Sequence, residues 1–352
     1  MSLIGRTHGR WSTAVVVLAA ALCTGWCVPF PAAATPAPTV EQVRQRVDDL
    51  NDQAEAATER YNDLRERIAS LKVRLTAAEQ KLAEQTKAVA RAREALGQVA
   101  ADTYKAGDLA TLSVFLSDNP DKYVAANGLL VSLGDRKAQA MQAVLREQQL
   151  RVATMTDVQE QQQRLEKART DQQAARLEVE RKLSEATAQL ARLSAQDRGR
   201  LGTLRAGRER TSLEDLGFTV PASGRLRCDD VPILATDARV KKVLDYACAQ
   251  LGDPYRWAGS GPSTFDCSGL TMMAWKQAGV SLPHSSQMQA TFGTKVSPDE
   301  LRPGDLVFFR SSLSHVGIYV GKGLMLHAPR TGDVVRLAPM RYSSSFATAV
   351  RL

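Results

Sequence analysis

From Val43 onward, apolar residues recur at alternating steps of four and three: Val43, Val47, Leu50, Ala54, Ala57, Tyr61, Leu64, Ile68, Leu71, Leu75, Ala78, Leu82, Val89, Ala92, Leu96 and Val99, with Gln85 the polar member of the series. A mean step of about 3.5 residues, held without a slip, marks a coiled coil, because a globular helix repeats at about 3.6. Proline is absent between Pro38 and Pro120 and between Pro120 and Pro221. At about 1.5 Å per residue, the first helix spans on the order of 90 Å. A second helical stretch runs from about Lys122 to Leu193, with seam candidates Met141, Leu145, Val152, Met155, Leu165, Val179, Leu183, Leu190 and Leu193. Its heptads drift near Gln159 to Gln163 and again at Gln172 and Gln173. Two long helices joined by a short break predict an antiparallel coiled-coil hairpin over residues 40–198.

The break carries Leu109, Leu112, Phe115 and Leu116. A hairpin tip has little surface to bury them against, so they either cap the hairpin or form a docking site for a partner. Beyond Arg198 the pattern decays through Gly199, Gly202 and Gly207 into Pro221-Ala222-Ser223-Gly224, which predicts a linker over 199–235. The remaining segment, 236–352, changes character. Helices are expected at Val240–Leu251 and Cys267–Gly279, then strands at Asp305–Phe309, Val316–Val320, Leu324–Ala328, Val334–Leu337 and Thr348–Leu352. Helices first and strands afterwards predict an α+β domain with an antiparallel sheet packed on helices.

The first 34 residues read as an export signal rather than a domain. Arg6 and Arg10 precede an apolar run from Ala14 to Leu22, and Ala32-Ala33-Ala34 fits a small-residue cleavage site. The apolar run is shorter than the roughly 20 residues a membrane span needs. Removing the two arginines lowers the formal charge from +8 to +6, an excess that suits an anionic envelope polymer and equally a solvated helical surface. Export argues against nucleic acid. Cleavage would leave Cys228, Cys248 and Cys267. An oxidising compartment then permits a disulfide between Cys228 and Cys248, with Cys267 as the odd, reactive thiol. The bland alternative is that Cys248 is a buried small residue on its helix.

The candidate chemistry sits in this last segment. Cys267 opens an apolar helical stretch, where unpaired amides favour a thiolate. His315 is the candidate base. His327, on the next strand across the turn at Gly321-Lys322-Gly323, would orient the His315 ring as the third member of a triad does. One cysteine and two histidines are also a zinc set, but no Cys-x-x-Cys or His-x-x-x-His spacing supports it, so neither metal nor cofactor is expected.

Five ordered motifs carry a resemblance: Tyr255-Arg256-Trp257-Ala258-Gly259, Asp266-Cys267-Ser268-Gly269-Leu270, Leu282-Pro283-His284-Ser285-Ser286-Gln287, Arg302-Pro303-Gly304-Asp305-Leu306-Val307-Phe308-Phe309 and His315-Val316-Gly317-Ile318-Tyr319-Val320-Gly321. Together they resemble the NlpC/P60 cysteine peptidases. The resemblance implies a papain-like α+β fold and hydrolysis of peptidoglycan stem peptides, usually between D-glutamate and the following diamino acid. It makes Cys267 the nucleophile, His315 the base and His327 the orienting residue. Tyr255 would lie on the oxyanion side, and Asp266, Ser268 and Ser286 would line the substrate groove. His284 stands where the family often has Arg.

The whole architecture is similar to RipC-like and PcsB-like cell-separation hydrolases, whose coiled coils are engaged by the membrane FtsEX complex. That likeness implies a secreted or wall-associated enzyme acting in daughter-cell separation, with the hairpin tip as the partner site. Two other readings stay open. One is a non-catalytic coiled-coil adaptor that activates another wall hydrolase, and the other is an amidase or acyltransferase on the same fold.

Overall fold

The computed structural model describes residues 39–107, 120–221, 224–232, 237–340 and 346–352. The expected export signal and the tip residues Leu109, Leu112, Phe115 and Leu116 lie outside the described residues. The heptad pattern becomes two long helices, α1 (Val40–Gly107) and α2 (Pro120–Ala191). They run antiparallel: Arg60 pairs with Glu178 at 2.7 Å, while nearer the connection Ile68 packs with Leu165 and Ala168. On α1 the buried seam contains Val43, Val47, Leu50, Ala54, Ala57, Ile68, Ala78 and Val89, as the spacing requires.

On α2 the frame differs from expectation over its first half. The buried positions are Val144, Thr154, Val158, Leu165, Ala168, Ala175, Val179 and Ala186, a single four-three frame with no drift. Met141, Leu145, Val152 and Met155 are exposed. These larger side chains suggest a frame displaced by one residue, whereas the observed seam there runs through Val144, Thr154 and Val158.

The expected linker is largely helix. α3 (Ala195–Asp215) starts at Ser194, whose hydroxyl accepts the Asp197 N–H at 3.1 Å. Gly199, Gly202 and Gly207 sit inside it with open space beside them. Each glycine costs a helix about 1 kcal/mol. Burial outweighs that cost, since Leu213, Phe218, Leu226 and Val231 all join the core of the C-terminal domain. At about 1.5–3 kcal/mol per buried large side chain, this is the stronger effect. Glu209 adds an ion pair to Arg336.

The C-terminal domain places α4 (Ala238–Ala249), α5 (Cys267–Lys276) and the short α6 (Ser286–Gln289) against a six-stranded antiparallel sheet. Its strands are β1 (Thr294–Val296), β2 (Leu306–Phe309), β3 (His315–Gly321), β4 (Leu324–His327), β5 (Arg336–Pro339) and β6 (Phe346–Arg351), in the order β1-β6-β2-β3-β4-β5. Side chains alternate between the sheet's two faces as strand geometry demands. Leu306, Phe308, Val316, Ile318, Val320 and Leu326 pack on the helix side, and Val307, Phe309, Met325 and Ala349 form a second cluster. Cys228 and Cys248 are joined in a disulfide that ties the segment after α3 to α4. Thr39–Leu352 forms one compact unit. Among the described residues no helix is long and apolar enough to cross a membrane.

Candidate active site

The N-terminus of α5 is fixed by Asp266. Its backbone is extended, and its carboxylate accepts the Gly269 N–H at 2.7 Å, which caps the helix and makes Cys267 the first helical residue. Gly269 has to be glycine, because a Cβ there would lie 2.1 Å from the Gly259 carbonyl oxygen. Cys267 is 1 % exposed and is the free cysteine among the described residues.

The two histidines come from adjacent strands. His315 opens β3 and His327 closes β4, and His315 Nε2 lies 2.7 Å from His327 Nδ1. Gly317 makes room for this pair, since a Cβ on it would approach His327 Cβ to 3.3 Å. Burial and the neighbouring His315 hold His327 well below the usual imidazole range, so it serves as a neutral partner. One ligand atom of His315 lies within 4.8 Å of the Cys267 sulfur. The three residues expected to form the catalytic set are therefore brought together.

They are also covered. One face of α1 presents Asp48, Asp52, Glu55, Glu59, Asn62 and Glu66, again at steps of four and three, and each position meets the C-terminal domain. Asp48 accepts from Arg330 at 2.7 Å, and Asp52 from Arg310 at 2.7 Å. Glu55 is buried, accepts from Arg310 at 2.7 Å through Oε2, and contacts His315 Nδ1 through Oε1. Glu59 is fully buried. It accepts the Ser286 N–H at 2.6 Å and the Ser268 hydroxyl at 2.7 Å, and Cys267 Sγ lies 3.5 Å from its Oε1. Asn62 donates to Asp266 at 2.9 Å, and the His284 N–H donates to Glu66 at 3.3 Å. Tyr61 stands edge-on to Trp257 with ring centroids 5.3 Å apart.

Glu55 thus occupies His315 Nδ1, and Glu59 lies against the thiol. The electrostatics agree with a covered site. Burial first, then the Glu59, Glu55 and Asp266 carboxylates, push the Cys267 thiol well above its ordinary range, against a small opposing effect of the Val316 N–H. Burial raises Glu55, but His315 and Arg310 outweigh it and leave the carboxyl low. Burial and Asp266 push Glu59 up to about 7. His284 bonds Asp266 at 2.8 Å, and that carboxylate outweighs burial and raises the imidazole.

Asp266, Ser268 and Ser286, expected to line a groove, all touch α1 side chains directly or through their backbone. Tyr255 lies in a crevice shared with Glu55, Thr58 and Arg330. The sequence reading missed Glu55, Glu59, Asn62 and Arg310. The acidic stripe on α1 has the same period as its apolar seam, and that second seam was the available signal.

A family model described as "NlpC/P60 family" matches residues 252–351. A probable endopeptidase of Mycobacterium tuberculosis is 49 % identical over 109 residues, which is 31 % of this chain and 28 % of that relative. A probable endopeptidase of Corynebacterium glutamicum is also 49 % identical over 109 residues, covering 52 % of its length. The matched region thus spans between about a quarter and half of these curated relatives. A solved NlpC/P60 family protein from Bacillus cereus is 35 % identical, with 34 % of this chain and 41 % of that one covered and a TM-score of 0.32. RipD from Mycobacterium tuberculosis, described as a non-catalytic NlpC/p60 domain protein, is 34 % identical, with 33 % and 98 % covered and a TM-score of 0.30. Motifs, site residues and family match converge on one stretch of sequence: residues 252–351 are a domain of the NlpC/P60 family.

Proposed function

We propose that this chain is an exported cysteine endopeptidase that cuts peptidoglycan stem peptides, at the D-glutamate–diamino acid bond, and that α1 holds it shut until the coil is moved. The observation that carries the reading is the assembly of Cys267, His315 and His327 at one point under a matched stripe of coil carboxylates.

The open enzyme follows from removing that stripe. Without Glu55 and Glu59 beside it, the thiol loses two of the charges that oppose its ionisation. It keeps the amides at the start of α5 and the Val316 N–H, which favour thiolate. His315 Nδ1, released from Glu55, takes the thiol proton, while His327 holds the ring through Nε2. The thiolate attacks the scissile carbonyl carbon, with Tyr255 on the oxyanion side. His315 then gives its proton to the leaving amine, and water hydrolyses the thioester. Ser268, Ser286 and Asp266, which now bind Glu59 and Asn62, become free to bind the stem peptide.

A site serving only as an adaptor has no need of a cysteine, a base and an orienting histidine together, which favours the enzyme over the non-catalytic reading. The need for control fits a hydrolase that acts in cell separation. The tip residues Leu109, Leu112, Phe115 and Leu116 are then the contact for an FtsEX-like membrane complex. Mass analysis of wall fragments tests the reaction: a peptide cut supports the proposal, whereas a sugar–peptide cut makes the protein an amidase, and no cut by an opened variant makes it an adaptor.

A further inference from the structure

Glu55, Cys267 and His315 come from three elements distant in sequence, and one ligand atom of each lies within 4.8 Å of the other two. All three side chains are buried. A carboxylate oxygen, a thiolate sulfur and an imidazole nitrogen are the donors that zinc takes in tetrahedral sites. Two of these donors, Glu55 Oε1 and His315 Nδ1, now bond each other, and the second atom of each side chain is held from outside the site. Arg310 holds Glu55 Oε2 at 2.7 Å, so Oε1 is the oxygen turned to His315. His327 holds His315 Nε2 at 2.7 Å, which leaves Nδ1 to the site and supplies the outer partner that a metal-bound imidazole ordinarily has.

Glu55, Glu59 and Asp266 bring three carboxyl groups to this point, faced by Arg310 and His315 at Glu55 and by His284 at Asp266. A divalent ion at the centre would offset carboxylate and thiolate charge together and let the thiol ionise, as metal coordination does elsewhere.

We propose that the closed site binds a zinc-class divalent ion through Cys267 Sγ, His315 Nδ1 and Glu55 Oε1, so that the metal locks α1 over the nucleophile. Glu55 moves back far enough to separate its oxygen from His315 Nδ1 by roughly 3.3 Å, the spacing of two ligands in a tetrahedral zinc site. Cys267 gives its proton to water as the sulfur–metal bond forms, and a water or Glu59 Oε1, 3.5 Å from the sulfur, completes the four ligands. Closure contributes a ligand, so closure tightens metal binding, and by reciprocity the metal strengthens closure by the same factor. The proposal rests on the closed arrangement and not on the reaction, so failure of one leaves the other standing.

Cobalt(II) titration of the full mature chain tests it without substrate. Wild type should give a saturable thiolate-to-cobalt charge-transfer band together with the intense visible bands of a tetrahedral ion. Glu55→Gln keeps the shape of the side chain and should weaken binding at least roughly tenfold, the loss seen even for outer-shell changes at metal sites. Cys267→Ser should abolish the charge-transfer band, and zinc should displace cobalt from wild type. Absence of a saturable band in wild type, or equal affinity in wild type and a folded Glu55→Gln, overturns the proposal. Thermal melting by circular dichroism checks that the variant is folded. If it is not, Glu55→Asp, which withdraws the carboxylate by one methylene, must show the same loss.

Discussion

Replacing Glu55 by alanine should open the site more than any other single change in α1. The carboxylate is buried, contacts His315, and accepts from Arg310 at 2.7 Å. Removing one member of a buried charged network costs about 3–5 kcal/mol, because the remaining partners stay desolvated without compensation. That penalty exists only while α1 is closed, since in the open chain water reaches Arg310 and His315. Arg310 keeps Asp52 at 2.7 Å, which places the effect near the lower end, about 3 kcal/mol. The closure equilibrium should then shift by roughly a hundredfold. Iodoacetamide labelling measures it directly. With Cys228 and Cys248 joined, Cys267 is the free thiol among the described residues, and a chain made without residues 1–34 has it as its reactive thiol. Wild type should label slowly, and Glu55→Ala faster by a factor approaching a hundred at the same pH. Equal labelling rates would refute the reasoning, because they would mean that Glu55 contributes nothing to closure.

Closure should also respond to pH with a definite sign. Glu59 is raised from 4.5 to about 7 in the closed site, so its contribution to closure is full below pH 4.5 and is lost as pH rises to about 7. Glu55, held low, instead contributes above pH 4.5 and loses its contribution in acid. The Glu59 slope is about 1.4 kcal/mol per pH unit, and Asp52, raised by burial, acts in the same direction as Glu59. Fluorescence of Trp257, which packs on Tyr61, follows the opening, and Glu59→Gln should flatten the response. Cys267→Ala in an opened chain should lose peptide cleavage while the domain stays folded, as judged by circular dichroism and muropeptide turnover. His315→Ala should cost nearly as much, and His327→Ala less, because an orienting residue does not itself move the proton; an equal loss would reassign the base. Leu112→Glu with Phe115→Glu should abolish pull-down of the membrane partner without changing Cys267 labelling.

The grouping of Cys267, His315 and His327 was legible because these residues stand in compact local motifs. Cys267 opens an apolar helical stretch, and His315 and His327 fall on strands separated by a Gly-Lys-Gly turn. The α1 seam was legible for the same reason, since its period is carried by large apolar residues. On α2 the large apolar residues Met141, Leu145, Val152 and Met155 are exposed, and they draw a reading weighted by hydrophobicity one residue away from the seam at Val144, Thr154 and Val158. The helix at Ala195–Asp215 was hidden by its three glycines, whose local cost is outweighed by Leu213 packing in a core formed much later in the chain. The cover over the site was hidden for another reason. Charged residues on a coil normally signify a solvated face, and only the fold shows that Glu55 and Glu59 meet His315 and Cys267, more than two hundred residues away.

The central claim, that a cysteine peptidase is held closed by its own coil, is tested most directly by peptide release from purified peptidoglycan, followed by mass analysis. Three full mature chains are compared: wild type, Asp52→Ala/Glu55→Ala/Glu59→Ala, and the same triple variant with Cys267→Ala. The account predicts little release by wild type, strong release of stem-peptide fragments by the triple variant, and none once Cys267 is removed. Wild type as active as the triple variant, or cleavage that survives Cys267→Ala, would contradict it.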